Sequence, residues 1–577
     1  MAKNKKKLKS KIEEKLPSIK SSTSSSSTIK DSHNKKNVKS KNSPTTKTTT
    51  KDSTKNVQAK LQRQPIEQHH QQSIFKDSPV YDLLHYFEKA PDQWAARYIL
   101  ILTSIILRTS VGLGNYSGFG TPPMYGDFEA QRHWMELTIN LPLAEWYFFD
   151  LQYWGLDYPP LTAYHSYLIG KIGSFFQKDW FELGKSRGYE SLELKFFMRL
   201  TSLVSEFLIY IPGILYLSNL LGKKFKLNRM DQIILCLVII NQPHLILIDH
   251  GHFQYNSIML GFFIYSIIEL CSNNLVVASI WFISCINFKQ MGLYYSLFIF
   301  FYILSQLRNF KELVMIGFTV ILTQVLYVLP FLVQKDFKSL INQIVIRIFP
   351  FNRGLFEDKV ANFWCTTNLL VKYREFLSIS QLSKLSLITT LISVIPINLL
   401  IFYKLKKSTT ENKKISLLIY GFAQNSLSFY LFSYQVHEKS ILIPIIPILL
   451  ILFINHQSKQ ISLIQWINNL ATFSLYPLLK KDDLILQYFV TLFVINWLIG
   501  FNKVFPSPPK KFEFNIVNLN TVVIYLTYLL VVIYRLLDAF INPPVNLPDL
   551  WIILNTSISF VGFGYFWIWL IYIIIIT

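Results

Sequence analysis

Long apolar runs, separated by short polar segments, follow one another from Tyr98 to the C-terminus of this 577-residue chain. Most of them are long enough to cross roughly 30 Å of hydrocarbon as a helix. The pattern predicts an all-α polytopic membrane protein with about fourteen transmembrane helices. The predicted spans are 98–113, 198–221, 231–248, 254–271, 274–287, 290–306, 313–333, 382–403, 415–434, 440–455, 462–478, 484–500, 519–537 and 551–575.

Charges between the runs predict which loops face the cytosol, because short loops rich in Lys and Arg stay on that side of a membrane. With fourteen spans and a cytosolic N-terminus, that side receives the most basic short loops, at 222–226, 308–311, 403–407 and 509–511. The shorter apolar stretch 161–176 would invert these loops if it crossed. We therefore predict that it is a helix lying at the luminal interface.

The N-terminal region has a different composition from the rest of the chain. Between residues 1 and 60, 17 Lys face 4 acidic residues, and no aromatic residue occurs. Such a segment cannot offset the entropy lost on ordering, so we predict a disordered basic cytosolic tail over 1–75. No apolar run follows its charges, which argues against a cleavable signal peptide. Without Arg-rich or aromatic interleaving, we expect no nucleic-acid partner.

Four polar segments fall in the predicted luminal loops although they are far apart in the sequence. They are 124–160, 249–256, 337–368 and 435–440. Because they face one compartment, we expect them to converge, as an active site at a membrane surface requires.

The first of these segments contains Asp127 and Glu129, directly after Gly126, where a helix is predicted to begin. An aspartate there could simply cap the helix. Further along, aromatic residues surround Asp150 and Asp157. They suit either an interfacial aromatic belt or the stacking of a sugar.

The second segment reads Asp-His-Gly-His-Phe-Gln-Tyr-Asn over 249–256. Two histidines and an aspartate raise the possibility of a metal ion. The remaining ligands of such a site are not evident, and His252, Gln254 and Asn256 are equally suited to hydrogen bonding with hydroxyls and phosphate. We therefore predict neither a metal nor a cofactor.

The other two segments carry charges at the membrane boundary. In the third, Arg347, Arg353 and Lys359 could hold phosphate oxygens, while Glu357 and Asp358 could bind sugar hydroxyls. The alternative is a set of basic side chains that extend from the membrane into water. The fourth places three consecutive ionisable residues between two apolar spans, and Lys289 is similarly placed. Because charges are costly in hydrocarbon, these residues should line an aqueous cavity; the three are His437, Glu438 and Lys439.

No phosphate-binding glycine loop, nucleophile elbow or dinucleotide fingerprint occurs in the sequence. A nucleotide-sugar donor is therefore unsupported.

Five of the motifs together resemble the dolichyl-phosphate-glucose α-1,3-glucosyltransferase family of the GT-C superfamily, most closely the type that adds the first glucose to a lipid-linked oligomannose. They span 126–136, 153–162, 249–256, 356–365 and 435–439. The resemblance implies a GT-C module over 76–335, with a first luminal loop at 114–197. A second luminal loop at 336–381 and a variable transmembrane module would complete 336–577.

This resemblance also implies a reaction. The donor would be dolichyl-phosphate-glucose and the acceptor a dolichyl-pyrophosphate-linked oligomannose, Man9GlcNAc2. Because a β-linked donor gives an α-linked product, the transfer would invert the configuration in one displacement, with a general base and without a covalent intermediate. We expect a metal-independent monomer in the endoplasmic reticulum membrane, in contact with its lipids, with the active site in the lumen.

The resemblance assigns roles to particular residues. Asp127 matches the position of the catalytic base. Asp157, Glu357 and Asp358 match acidic positions that line the cavity, and His437 matches a residue near the donor phosphate. We add further candidates from their location and charge. These are Glu129, His252, Gln254, Tyr255, Asn256 and Glu438 for substrate binding, and Lys439, Arg347 and Arg353 for the phosphate.

Two kinds of alternative remain at this point. The enzyme could instead add the second glucose or use another dolichyl-phosphate sugar. A transporter of lipid-linked sugars would also have many spans with charges, but it should show internal repeats and broken helices in matching halves. No clear repeat is present in the sequence.

Overall fold

A computed structural model describes residues 73–88, 93–350, 355–356, 359–508 and 516–577. In these ranges the chain forms helices joined by loops, without a β-strand. Helices α1 to α12 are Pro79–Glu88, Gln93–Gly112, Asp127–Asn140, Pro160–Phe176, Leu192–Leu208, Tyr210–Lys224, Arg229–Ile240, Pro243–Ile246, Asn256–Cys271, Leu275–Phe288, Ser296–Gln306 and Phe310–Leu332. Helices α13 to α24 are Phe337–Ile348, Phe363–Thr367, Tyr373–Phe376, Ile379–Lys407, Glu411–Phe432, Leu442–Leu450, Ser458–Ser474, Tyr476–Lys481, Ile485–Ile499, Phe501–Val504, Ile516–Phe540 and Leu550–Ile576.

The chain is a multi-pass membrane protein. Each of the fourteen apolar segments predicted as a span contains a helix. Within the described ranges, seven helical stretches are long and apolar enough to cross a membrane, and four apolar helices are shorter. The remaining predicted spans are divided into shorter elements. Segment 290–306, for example, is a 3₁₀ turn followed by α11.

The burial of the helices separates an inner from an outer set. Every residue of α18 is buried, and so is α19 from Ile461 to Ser474. In α12, by contrast, only Ile316, Thr323 and Phe331 are buried. Because its exposed positions are apolar, α12 has the surface of a helix that contacts lipid tails.

Buried polar side chains join helices to one another. Arg108 on α2 makes two hydrogen bonds of 2.7 Å to the carboxylate of Glu206 on α5. Asn398 on α16 and Asn425 on α17 exchange amide hydrogen bonds of 2.9 and 2.6 Å. Such contacts hold helices together where apolar burial alone gives little preference for one partner over another.

Helix ends follow the local sequence. At the start of α16, the Ser378 hydroxyl accepts a hydrogen bond from the Gln381 backbone, and the Gln381 side chain accepts one from the Ser378 backbone. This capping box satisfies donors that a helix start leaves free. The last turn contains Lys404, Lys406 and Lys407, whose charges complement the negative end of the helix dipole.

The long loop between α2 and α5 carries α3 and α4, which pack against each other. The stretch predicted as an interfacial helix, 161–176, is helical and coincides with α4. Within the loop, the indole of Trp134 donates to the Trp154 carbonyl at 2.9 Å, so α3 holds the aromatic segment that follows it. The position of α4 relative to the bilayer stays a prediction.

Most of the predicted tail lies outside the described residues, but its last three residues contact the helices. The Ser73 hydroxyl donates to Asp231 Oδ1 at 2.5 Å, and the Ile74 backbone donates to Asp231 Oδ2 at 3.2 Å. The side chain of Phe75 is buried. The packed part of the chain therefore begins by residue 73, rather than at 76.

Candidate active site

Asp127 is the first residue of α3, and its carboxylate is the centre of a polar cluster. Oδ2 is 3.0 Å from His252 Nε2 and also accepts hydrogen bonds from the side chains of Gln254 and Lys439. The side chain keeps 21% of its surface exposed. It is not a helix cap, because the capping position is Gly126 and no side chain bonds there. The simple capping interpretation is therefore wrong.

The backbone holds Asp127 closely. Its amide donates to the Ser117 hydroxyl at 3.1 Å. A Cβ atom at Gly126 would lie only 2.5 Å from that hydroxyl oxygen. The tight approach of these two segments therefore requires glycine immediately before the carboxylate.

His252 and Gln254 reach Asp127 from a π-helical segment, Leu247–Phe253, at the end of a long span. Phe253 adopts a φ of 92°, and Gln254 is extended. His252 lies inside this segment, and Gln254 follows the change in chain direction at Phe253. The sequence predicted both residues as site residues, and the structure brings both into contact with Asp127.

The buried side chain of Lys289 holds the side-chain amides of Gln254 and Asn256 in place. Lys289 Nζ donates to Gln254 Oε1 at 3.2 Å and to Asn256 Oδ1 at 2.7 Å. Because the lysine occupies the oxygen of Gln254, the amide nitrogen is the atom that faces Asp127. Asn256 in turn donates to Asp249 at 2.8 Å. Asn256 is thus a buried support of the site.

The fourth polar segment completes the cluster. Lys439 lies in a 3₁₀ turn, Glu438–Ile441, after α17, and its ammonium also comes within 3.2 Å of His252 Nε2. His437 precedes this turn, and both His437 and Glu438 are half-buried. Gln435, two residues earlier, donates to the Pro350 carbonyl at 2.7 Å. The segment therefore connects the Asp127 cluster with the loop after α13.

The electrostatic balance favours an ionised Asp127. Burial raises the pKa of the Asp127 carboxyl, but the charge of Lys439 and the contacts with His252 outweigh it and hold the pKa well below its usual range. Asp127 is therefore a carboxylate at neutral pH, which is the form able to accept a proton.

The Asp157 segment lies beside Lys289. The ring of Tyr158 is 4.7 Å from Lys289 Nζ, a cation–π contact. The backbone carbonyl of Asp157 accepts a hydrogen bond from Gln290 at 3.4 Å, and the residue is half-buried. The segment that carries Asp157 is thus next to Lys289, and the substrate-binding role of Asp157 stays a prediction.

Two predicted residues have other partners. Glu129 is buried, pairs with Arg132 through two hydrogen bonds and accepts one from the Tyr153 hydroxyl at 2.9 Å. The hydroxyl of Tyr255 meets Thr201 at 2.7 Å. Both side chains are used inside the protein, so we assign them to structural support.

Arg347 contacts the first loop. Its guanidinium donates to the Leu156 carbonyl at 3.1 Å and to the Gly155 carbonyl at 2.7 Å. These contacts hold the segment that precedes Asp157. Lys359 forms an ion pair with Asp549. The predicted residues Arg353, Glu357 and Asp358 lie outside the described residues.

Sequence reasoning missed Asp482. It follows α20, is 3% exposed at its side chain, and its Oδ2 is 2.5 Å from His252 Nδ1. The only signal was position, because residues 479–483 fall between two predicted spans, on the same side as the four polar segments. Asp482 and Asp483 follow two lysines and match no motif, so nothing in the sequence indicated that Asp482 contacts His252.

In the described part of the chain, no group of three or more His, Cys, Asp and Glu residues has the arrangement of a metal site. His252, the residue nearest to such a role, directs both ring nitrogens at carboxylates. Asp249 likewise accepts hydrogen bonds from Asn256 and from the Ser257 backbone. The side chains that suggested a metal thus have hydrogen-bond partners elsewhere in the protein.

The fold and this site define a class: a polytopic helical membrane enzyme with an ionised carboxylate at the end of its helix bundle. Residues 99–572 match the model of the ALG6, ALG8 glycosyltransferase family. The chain belongs to this family and is a glycosyltransferase.

Three relatives from different organisms share the name of one enzyme activity. The chain is 45% identical over 527 residues to the dolichyl pyrophosphate Man9GlcNAc2 alpha-1,3-glucosyltransferase of Saccharomyces cerevisiae, covering 86% of this chain and 95% of the relative. A probable enzyme of the same name from Schizosaccharomyces pombe is 44% identical over 500 residues, covering 85% and 94%. The Gallus gallus enzyme is 38% identical over 517 residues, covering 82% and 96%.

Proposed function

We propose that this enzyme transfers glucose from dolichyl-phosphate-glucose, in α-1,3 linkage, to the Man9GlcNAc2 group carried on dolichyl pyrophosphate. The acceptor and the linkage are those in the names of its relatives. The observation that carries the proposal is the Asp127 carboxylate, which is partly exposed, low in pKa and surrounded by hydrogen-bond donors.

In the proposed reaction, the acceptor hydroxyl oxygen attacks C1 of the donor glucose. The bond between C1 and the phosphate oxygen breaks, and dolichyl phosphate leaves with the bonding electrons. Asp127 takes the hydroxyl proton and later releases it to water. One displacement inverts the configuration at C1, so the site needs one base and no nucleophilic side chain.

Lys439 and His437 are suited to the donor phosphate. The phosphate must lie next to the carbon under attack, and the Lys439 ammonium is already in contact with Asp127. When a phosphate draws this ammonium away, Asp127 loses a neighbouring positive charge and becomes a stronger base. Donor binding would thereby raise the proton affinity of the Asp127 carboxylate just before the transfer.

The proposed location is the endoplasmic reticulum membrane, with the site in the lumen and the N-terminus in the cytosol. Five separate loops contribute Asp127, His252, Lys289, Lys439 and Asp482, and the predicted topology puts all five on one side of the membrane. Their convergence supports the fourteen-span arrangement, since one inverted span would separate them. We expect the enzyme to act as a monomer.

Purified enzyme tests the proposal directly. It is supplied with either dolichyl-phosphate-glucose or dolichyl-phosphate-mannose, together with a defined Man9GlcNAc2 lipid or the same lipid already carrying one glucose. We expect one hexose to be added from the glucose donor alone, in an α-1,3 linkage established by glycosidase digestion. Transfer from the mannose donor, or transfer only to an acceptor that already carries one glucose, would contradict the assignment.

A further inference from the structure

His252 lies between two carboxylates from distant parts of the chain. Its Nδ1 is 2.5 Å from Asp482 Oδ2, and its Nε2 is 3.0 Å from Asp127 Oδ2. The side chains of His252 and Asp482 are each 3% exposed, so water competes little for these contacts. An ionised carboxylate only accepts hydrogen bonds, so His252 donates to both carboxylates only when both of its ring nitrogens carry a proton.

Asp482 reaches His252 from a rigid corner. Its backbone amide donates to the Leu478 carbonyl at 3.2 Å and ends α20. Two residues later, Leu484 packs so closely on the π-helical segment that a Cβ atom at Gly251 would lie 2.9 Å from its Cδ1. On the other side, Arg199 donates to the Gly251 carbonyl at 2.7 Å. The backbone around both partners is therefore fixed.

We propose that Asp482 is a positioning residue for the transfer, acting through His252 on Asp127. By holding Nδ1–H, Asp482 fixes the rotation of the ring and directs Nε2–H at Asp127. It also balances the charge of an imidazole that carries two protons. This role rests on the proposed function of Asp127 as the base.

The same arrangement links the base to the second half of the enzyme. Asp482 and His252 are 230 residues apart, and Asp482 belongs to the part of the chain predicted as the variable module. His252 is faced by Asp127 from α3, by Lys439 from the 3₁₀ turn and by Asp482. Two further charges lie on adjoining segments: Arg199 at the Gly251 carbonyl and Lys289 at Gln254. Among the three groups that face the ring, Asp482 alone is not proposed to meet substrate.

Removal of the Asp482 charge should therefore change the proton affinity of Asp127. Without its counter-charge, the imidazole holds its second proton less firmly. Asp127 then loses part of the positive field that keeps its pKa low. Since a carboxylate with a higher pKa is protonated at higher pH, the acidic limb of the pH–rate profile should move upward.

The test compares Asp482→Asn with Asp482→Glu and with the neighbouring Asp483→Asn. Asp483 is a matched control, because it is adjacent in sequence and its carboxylate contacts Asn115 at 3.4 Å instead of His252. Its positive φ of 58° is one that asparagine adopts readily. Full-length enzyme is purified in each case and the folded fraction is measured by size exclusion. The value of kcat/KM is then followed from about pH 8 down to the lowest pH at which the enzyme stays folded, because the acidic limb of the wild type lies below the usual carboxyl range.

For Asp482→Asn we expect kcat to fall about 10- to 100-fold per folded molecule, with KM for the donor within about twofold, as for other residues that orient a functional histidine. The acidic limb should move to higher pH. Asp482→Glu should recover part of the rate and restore the limb toward its original position. Asp483→Asn should behave as wild type.

An unchanged acidic limb in Asp482→Asn, or the same change in Asp483→Asn, would overturn the positioning role. The result is separable from the proposed function through Asp127→Asn. If that variant is inactive while Asp482→Asn keeps a normal profile, only the positioning role fails. If Asp127→Asn retains turnover, the base assignment fails as well.

Discussion

Lys439 and Asp127 form an ion pair between side chains that are 312 residues apart in the sequence. The pair joins the loop before α18 to the first residue of α3. Because the same carboxylate oxygen also contacts His252 and Gln254, three donors share one acceptor. This arrangement keeps Asp127 ionised and orients it before any substrate binds.

Replacement of the proposed base is the most direct prediction. Asp127→Asn should lower transfer by at least about 10²-fold, since the amide cannot accept the hydroxyl proton. The measurement is turnover of dolichyl-phosphate-glucose by purified protein of confirmed monodispersity. Asp179→Asn, an exposed residue of the same loop, is the matched control and should retain full activity. Near wild-type turnover in Asp127→Asn would remove this residue from the base role.

A second prediction concerns the partner of that carboxylate. Lys439→Gln removes a positive charge that lowers the pKa of Asp127, so the acidic limb of the activity profile should appear at higher pH. It should also raise KM for the donor by about tenfold, the effect of losing one charge-assisted contact of about 1.4 kcal/mol. Lys185→Gln serves as control because the Lys185 side chain is 76% exposed. If Lys439→Gln keeps a normal KM for the donor and an unchanged acidic limb, neither the effect on the pKa of Asp127 nor the phosphate contact is supported.

His437 provides an independent test of the phosphate position. His437→Ala should raise KM for dolichyl-phosphate-glucose more than KM for the oligomannose lipid, since only the donor carries phosphate at the reacting carbon. Initial rates with each substrate varied in turn give the two constants. Equal effects on both constants would place His437 away from the phosphate.

Two substitutions of Gln254 should lower activity by different amounts. Gln254→Leu removes one hydrogen bond to Asp127, a loss of about 1 kcal/mol. Gln254→Glu instead places a second carboxylate against Asp127, where like charges raise the pKa of the pair. We therefore expect the leucine variant to retain more activity at neutral pH than the glutamate variant. The reverse order would mean that Gln254 does not face an ionised Asp127 in the working enzyme.

A buried ion-pair cluster on α3 predicts how stability depends on pH. Burial raises the pKa of Glu136, but hydrogen bonding with His133 and the charge of Arg132 outweigh it and lower the pKa to about 2. Ionised Glu136 therefore stabilises the fold above the pKa of the unfolded carboxyl, about 4.3, and this contribution is lost as pH falls toward 2.

Glu136→Gln should lower stability by about 3 kcal/mol at neutral pH, since it breaks a buried charge pair. The difference in thermal stability between wild type and variant should narrow as pH decreases below about 4.3. Glu182→Gln is a suitable control, because the Glu182 side chain is 49% exposed. A difference that is constant with pH would argue against an ionised Glu136.

Labelling of single cysteines checks the topology. Three native cysteines are buried and Cys365 is half-buried, so a Cys365→Ser background should give little signal. Lys185→Cys and Asn546→Cys, both at exposed positions, should react from the luminal side, whereas Thr409→Cys should react from the cytosol. Labelling of Lys185→Cys and Thr409→Cys from the same side would contradict the predicted number of spans between them.

Much of the architecture was predictable because it depends on local sequence. Apolar length alone located a helix in each of the fourteen segments, and the charges of the loops predicted that the polar motifs lie on one side. The start of α3 at Asp127 followed from the glycine before it. The motifs also indicated the family, which the match over residues 99–572 confirms.

The partners inside the site were decided by tertiary structure. Glu129, two residues from the proposed base, pairs with Arg132, and Tyr255 hydrogen-bonds with Thr201, although both belong to motifs of the site. Asp482 had no motif at all and yet binds His252. Sequence determined which segments are helices and predicted which loops share a side, because apolar length and charge act locally. Which side chains meet depends on helix packing and rotation between segments hundreds of residues apart, and only the folded bundle fixes these.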